Sequence, residues 1–463
     1  MSTAEDTPPL DFGEPLAAAR TIPVLICAGR AFTTKGTDGI RLVEIGAALE
    51  LGRERLRENR SVARFETDDP HMSRSHALLS RNATGAVTVR DLGSRNGVLL
   101  NGEPLSDERA LRDGCLLFIG SHVFVYRLMS PDEIEAIQSE WAEPLAPVPT
   151  MSAVLARISA RLRRLARSRV DLLLGGETGV GKEVFAEAIH RESGRPGPLI
   201  AINCAALPET LLESELFGYA RGAHSMADQS KAGLIEQAEG GTLFLDEIGE
   251  MSQSGQSKLL RFLQDRMLTP LGSTRPRRMD VRVIAATRRP VALSDTDTGV
   301  RFDLATRLGP EPLMLPPLRA RPEDIGLLAR YFLRDHPRSF GVPAFRSLFL
   351  HRWPGNVREL VKTMQLAAVL SEPNTRIEAE HLPFAPEPDL TTDEPSRRAI
   401  EDGSIPLDPD LPSRRPTSER LTKLLGRHHG NVADVARDLG RQRTLVWRWL
   451  RQEGLDPERF RSS

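Results

Sequence analysis

The sequence predicts a multidomain chain: an all-β sandwich, then an α/β domain built on a phosphate-binding P-loop with a helical lid, then an all-α helix-turn-helix. Three stretches carry that prediction. Between Ile22 and Leu128, short alternating apolar runs are separated by turn residues, the spacing of a β-sandwich. Over residues 171–190, an apolar strand enters a glycine loop and leaves it as a helix. Beyond residue 417, helical segments are joined by glycine turns, and the last is rich in arginine.

Composition sets the bounds. A chain of 463 residues holds several domains with real cores. Its 62 Lys+Arg and 63 Asp+Glu nearly cancel, so no global field announces a nucleic-acid or membrane partner, and charge has to be read by region. Cys27, Cys115 and Cys204 lie far apart without metal-ligand spacing, which argues against a disulfide framework and suits a reducing cytosol. The start is acidic, and no run of about 18 apolar residues occurs. The expectation is a cytoplasmic protein with no membrane partner.

Residues 1–20, polar and rich in Pro and Ala, read as a mobile leader. The sandwich, residues 21–128, carries unusual chemistry in its loops: Gly52-Arg53 after one strand, Ser73-Arg74-Ser75-His76, and Asp91-Leu-Gly-Ser-Arg-Asn96-Gly97 leading to Asn101-Gly102. A dianionic phosphate is well served by a guanidinium with hydroxyl and amide donors. These clusters resemble the forkhead-associated (FHA) domain, a β-sandwich that binds phosphothreonine peptides. The resemblance implies that Arg53 and Ser73 contact the phosphate, Arg74 and Asn96 hold the peptide, and His76, Gly97 and Asn101 brace the loops. The implied partner is a phosphothreonine-containing protein.

Residues 129–150, with four prolines around an acidic helical piece from Asp132 to Trp141, read as a linker. A basic amphipathic helix follows from Ser152 to Ser168. Leu172 to Leu174 then form a buried strand that enters Gly176-Glu177-Thr178-Gly179-Val180-Gly181-Lys182. Glycines at this spacing let backbone N–H groups turn inward on phosphate oxygens, the following helix adds its positive end, and Lys182 reaches the outer phosphates. Glu183 stands where a Ser or Thr commonly holds Mg²⁺. A second apolar strand, Thr242 to Leu245, ends in Asp246-Glu247. Asp246 is the candidate Mg²⁺ holder, and Glu247 the residue that orients or deprotonates the attacking water.

Around them, Ala201-Ile-Asn203-Cys-Ala-Ala-Leu-Pro208, Glu213-Ser-Glu-Leu-Phe-Gly218, Arg282-Val-Ile-Ala-Ala-Thr287, Pro317-Leu-Arg-Ala-Arg-Pro-Glu-Asp-Ile325 and Trp353-Pro-Gly-Asn-Val-Arg358 resemble the AAA+ domain of bacterial enhancer-binding proteins, the ring ATPases that remodel sigma-54 RNA polymerase. The match spans residues 151–384. It implies ATP with Mg²⁺ as cofactors, Asn203 as restraint on Glu247, and Arg301 and Arg307 as paired arginine fingers reaching a neighbouring subunit. It also implies Thr287 and Arg358 at the nucleotide, Arg358 as a sensor on the lid, and a homo-oligomer in which dimers assemble into a ring. Glu183 is usual in this family.

Two positions depart from the pattern. The family loop Gly-Ala-Phe-Thr-Gly-Ala, which presses on sigma-54, reads Gly222-Ala-His-Ser-Met-Ala227 here, with a reduced apolar payload. Arg288 replaces an Asn sensor and, unlike an amide, cannot accept a hydrogen bond.

Residues 385–416, rich in Pro, Asp, Glu and Ser, read as a disordered tether. Residues 417–463 hold ten Lys/Arg against six Asp/Glu and resemble a Fis-type helix-turn-helix, which implies DNA as a partner. Arg441, Gln442, Arg443, Thr444 and Arg448 are the candidates to meet bases or phosphates. Three functional readings stay open: an activator driving sigma-54 RNA polymerase, a DNA-binding repressor or adaptor that uses nucleotide only to set its oligomeric state, and a chaperone-like ATPase without a transcriptional role.

Overall fold

The computed structural model describes residues 21–32, 39–53, 63–223, 229–289, 299–309, 312–371, 376–384 and 418–428, with 431–432, 434–435, 450 and 455. The chain divides into two compact units, Met1–Glu387 and Pro388–Ser463.

In the first unit, one sheet orders Arg41–Glu44, Ile22–Arg30, His122–Met129, Leu116–Ile119, Val98–Leu100 and Glu103–Pro104, and the other orders Ala63–Glu66, Ala48–Gly52, Ala77–Arg81, Val87–Asp91 and Arg109–Ala110. Period-two alternation puts Leu49, Leu51, Leu79, Val87 and Val89 inward, where they meet Leu25, Leu117, Phe124 and Tyr126 of the facing sheet. The expected sandwich is present, and its functional loops follow the strands Ala48–Gly52 and Val87–Asp91 or precede Ala77–Arg81.

Residues 129–150, read as a linker around an acidic helical piece, pack on the core through a helix at that piece. Helix Pro131–Ala142 starts with a capping box: Glu133 N–H donates to Ser130 Oγ, and Ser130 N–H to the Glu133 carboxylate. Its Ile134 and Ile137 are buried, Leu145 is fully enclosed, and the Trp141 indole donates to the Thr150 carbonyl at 3.0 Å. Those apolar anchors override the proline signal. Helix Ala153–Ala166 follows, and its last carbonyls accept from the buried Arg282 guanidinium at 2.7 and 2.9 Å.

A further five-stranded sheet of this unit is all parallel, in the order Leu199–Asn203, Thr242–Asp246, Arg282–Thr287, Leu172–Gly175, Leu313–Met314. Leu172–Gly175 and Thr242–Leu245 are buried throughout, as continuous apolar runs require. The sheet's edge strand, Leu313–Met314, is short. The lid consists of helices Ile325–Phe332, Val342–Leu350 and Asn356–Leu370 around Phe340, Phe345 and Trp353. The same apolar cluster takes in Ala28, Phe118, Val123 and Val125, so the lid also packs on the sandwich.

In the second unit, helix Ser418–Arg427 buries Leu421 and Leu425 against Val432, Val435 and Leu450. Arg441, Gln442, Arg443, Thr444 and Arg448 lie outside the described residues, as do His224 to Asp228 of the diverged loop. The stem of that loop is described: Tyr219 and Lys231 pair through both backbone bonds, 3.0 and 2.9 Å, and Ala220 N–H donates to Leu271. Among the described residues, no helix is long and apolar enough to cross a membrane.

Candidate functional site

The parallel sheet fixes the site because its central strands all end on one edge. From Gly175 the chain turns into the glycine loop, with Gly176, Gly179 and Gly181 at φ 145°, 81° and 109°. Gly179 is the tightest position: a Cβ there would stand 2.4 Å from the Gly355 carbonyl of the lid. Helix Lys182–Ser193 then begins with its N-terminus on the loop. The buried Lys182 ammonium donates to the Gly176 carbonyl at 2.9 Å and stands 3.5 Å from Glu247 Oε1.

A cavity of about 500 Å³ opens here, lined by Thr178, Gly179, Gly181, Lys182, Glu183, Asn203, Asp246, Glu247, Arg288 and Arg358, among others. Of the residues singled out from the sequence, the structure therefore brings together most of the nucleotide set. Burial, and then the Glu247 charge, push the Asp246 carboxyl above its ordinary range, with Lys182 acting against them. Glu247 holds left-handed backbone at φ 53°, a conformation costly for a side-chain-bearing residue and concentrated at functional sites.

Some partners differ from the expected ones. The Asn203 amide donates to Asp246 Oδ2 at 3.2 Å, and Glu247 is held instead by the Arg288 N–H at 3.3 Å and the Arg288 guanidinium at 3.7 Å. Arg288 thus reaches the carboxylate as a cationic clamp, and its other end pairs with Glu250 at 3.2 Å. Thr287 is buried beneath the cavity and bonds Arg289: it accepts from the Arg289 N–H at 3.0 Å. Glu177 and Val180 belong to the frame: Glu177 pairs with Arg319 at 2.7 and 2.5 Å, and the Val180 carbonyl accepts from Arg321 at 3.1 Å. The bonds from Arg319 and Asn356 hold the Glu177 carboxyl down at about 2. Arg301 and Arg307 stand away from this cavity; Arg301 pairs with Asp303 at 2.7 Å, and Arg307 donates to the Leu263 carbonyl.

A second, apolar cavity of about 160 Å³ adjoins the first and shares Gly181, Val184, Phe332 and Val357 with it as a common wall. Its walls include Val148, Leu155, Phe185, Leu328 and Tyr331, with the buried Glu140 and Ser159. Burial pushes the Glu140 carboxyl up to about 7. Neither this cavity nor the roles of Arg319 and Asn356 follow from the sequence reading. Arg319 and Asn356 lie within quoted motifs, but no spacing rule pairs them with Glu177.

At the sandwich, His76 is fully buried and joins the loops: Ser73 N–H donates to His76 Nδ1 at 3.0 Å, and Nε2 bonds the Gly97 carbonyl at 3.0 Å. Ser73 Oγ accepts from the Arg95 N–H at 3.1 Å, and Arg53 N–H donates to the Ser73 carbonyl at 3.0 Å. Gly52 permits this approach, since a Cβ there would lie 1.9 Å from the Arg74 carbonyl. The Asn96 amide donates to the His71 carbonyl at 2.7 Å, and Asn101, at φ 54°, accepts from Leu116 N–H at 2.8 Å. Arg53, Ser73 and Arg74 are thus gathered at one end of the sandwich, with Asn96 on the neighbouring loop.

Comparisons with known proteins agree with this architecture. A family described as Sigma-54 interaction domain matches residues 148–313, the FHA domain matches 49–120, and the AAA+ ATPase lid domain matches 319–399. The transcriptional regulatory protein GlrR of Escherichia coli (strain K12) is 40% identical over 336 residues, 70% of this chain and 71% of GlrR. The nitric oxide reductase transcription regulator NorR1 of Cupriavidus necator is 42% identical over 308 residues, 62% of this chain and 60% of its own. Among solved structures, NtrX from Brucella abortus in complex with ATP aligns at a TM-score of 0.48 and 28% identity, over 70% of this chain and 73% of NtrX. The chain belongs to the family of sigma-54-dependent transcriptional regulators and carries an FHA domain at its N-terminal side.

Proposed function

We propose that this chain is an ATP-hydrolysing AAA+ regulator of transcription, controlled by phosphothreonine recognition and placed on DNA by its C-terminal helices. The observation that carries the reading is the pair of adjoining cavities, polar and charged at the glycine loop and apolar beyond their shared wall, which together suit the amphipathic shape of a nucleoside triphosphate. Gly179 must be glycine because the lid's Gly355 carbonyl closes on it, which brings the lid against the loop. Mg²⁺ would be held by Asp246 and would neutralise charge on the outer phosphates. Lys182 binds those phosphates, Glu247 takes the proton of the attacking water, and Arg358 meets the nucleotide from the lid. Arg301 and Arg307, remote from their own cleft, are the groups offered to a neighbour's, which makes hydrolysis depend on assembly of a homo-oligomeric ring. Arg53 and Ser73 take the phosphate of a phosphothreonine partner protein.

Sigma-54 RNA polymerase is the partner that family membership supplies. The second reading, a repressor or adaptor without the activating stroke, is favoured by Arg288 clamped on Glu247 and by the diverged loop. Transcription in vitro from a sigma-54 promoter decides between them. ATP-dependent open complexes support the activator. Their absence, with no recovery when residues 224–226 are changed to Phe-Thr-Gly, supports the repressor. Footprinting with Arg441→Ala and Arg443→Ala variants tests the DNA contact.

A further inference from the structure

The sandwich loops that carry the phosphate residues do not face open solvent on every side. A cleft of about 420 Å³ separates them from the lid, with Phe32, His71, Asn96 and Gly120 on one wall and Pro343, Arg346, Arg376 and Glu378 among those on the other. The walls are joined by a chain of contacts. Asn96 donates to the His71 carbonyl at 2.7 Å, the His71 ring stacks on Phe32 with centroids 4.8 Å apart, and the Arg376 guanidinium lies 4.6 Å above that Phe32 ring. On the deeper side, Arg346 donates from Nη2 to the Gly120 carbonyl at 2.9 Å, while its Nε is buried with no acceptor among the described residues. Phe340 N–H donates to the Ala31 carbonyl at 2.8 Å and fixes the lid against the sandwich beside the cleft.

The cleft is contiguous with the phosphate site: Asn96 follows Arg95, whose N–H holds Ser73 Oγ, and His71 lies two residues before Ser73. Two arginines and a histidine face one carboxylate, Glu378; Asp69, behind Gly120, already accepts from Ser121, His122 and His71. Guanidinium groups lining a cleft with little negative charge are best matched by a carboxylate. We propose that the phosphopeptide site extends onto the ATPase lid, with Arg346 and Arg376 binding an acidic side chain of the same phosphopeptide. This rests on the phosphothreonine reading above and adds a ligand feature that the sandwich alone does not supply. A peptide so bound ties sandwich to lid, and the lid helix Ile325–Phe332 also lines the apolar cavity through Leu328, Tyr331 and Phe332.

The test uses the full chain and fluorescein-labelled peptides, read by anisotropy at fixed salt. One peptide carries phosphothreonine among alanines; the others move a single Asp through the four residues on either side. One Asp position should tighten binding about five- to tenfold, the gain of a charge-assisted pair at a part-buried site. Arg376→Gln and Arg346→Gln should each remove that gain, and Arg376→Glu should transfer it to a Lys-bearing peptide. Arg376 is exposed, so its variants report even if Arg346→Gln loosens the lid. No gain at any position, or a gain that survives both changes while Arg53→Ala still abolishes phosphate-dependent binding, overturns the lid subsite alone. Equal binding of phosphorylated and unphosphorylated peptides overturns the phosphothreonine reading with it.

Discussion

Replacing Gly179 by Ala tests whether the lid closes on the glycine loop when nucleotide binds. The new Cβ would stand 2.4 Å from the Gly355 carbonyl and 3.0 Å from the Arg358 Cβ, at a backbone φ of 81°. Left-handed backbone costs a side-chain-bearing residue about 1–2 kcal/mol. Restoring ordinary contact distances of roughly 3.5 Å requires the lid to retreat by about 1 Å. That retreat stretches the Arg358 N–H to Gly179 bond, now 3.3 Å, and the Asn356 amide to Thr178 bond, now 3.0 Å. At about 1 kcal/mol for each bond, closure loses about 2 kcal/mol, while the backbone strain, as at Gly194, costs stability. Nucleotide affinity should then fall roughly 30-fold. Titration calorimetry with a non-hydrolysed ATP analogue reads this directly. Gly194→Ala is the control, because Gly194 also has positive φ, 64°, but a Cβ there meets nothing within 4 Å. It should cost stability with little change in affinity. If Gly179→Ala binds nucleotide as tightly as Gly194→Ala, the lid contact is not part of the binding-competent state and the reasoning fails.

Glu323, buried beside Arg127 at 2.8 Å, has its carboxyl pushed by burial from 4.5 to about 7. The folded chain therefore keeps a proton that the unfolded chain has lost, and stability should fall as pH rises from about 4.5 to 7, on the order of 2–3 kcal/mol. Urea midpoints across that range should slope downward, and Glu323→Gln should flatten the slope; an unchanged slope contradicts the assignment. His76→Ala removes the bridge between Ser73 and Gly97 and leaves a buried N–H unpaired, so it should cost about 2 kcal/mol in thermal unfolding and eliminate phosphopeptide binding. Arg288→Asn frees Glu247 from its cationic clamp and should raise the steady-state ATPase rate severalfold, whereas a fall would make Arg288 a positive contributor to hydrolysis.

The parts legible in the sequence are those whose chemistry is local. Strand, glycine loop and Lys182 are consecutive, as are Thr242 to Glu247, so period and spacing suffice to place them. The sandwich loops also lie in short stretches, and His76, which the resemblance to the FHA domain implied as a brace, bonds Ser73 and Gly97. What escaped depends on contacts between distant segments. The apolar cavity draws on residues 140–185 and 321–357, and no local pattern joins them. The prolines of 129–150 signalled a linker, but Ile134, Ile137, Trp141 and Leu145 anchor it. Arg288 looked unable to replace an amide. Its N–H and guanidinium nevertheless reach Glu247, because the ends of neighbouring parallel strands converge there.

In the proposed mechanism, nucleotide is hydrolysed between neighbouring copies of the middle domain. The direct measurement is ATPase rate per chain against protein concentration, with Glu247→Gln and Arg301→Ala alongside. The account predicts a steep rise with concentration that both substitutions abolish. Arg301→Ala should also be rescued in mixtures with Glu247→Gln, since each supplies what the other lacks. A rate per chain that is flat with concentration and untouched by Arg301→Ala would contradict it.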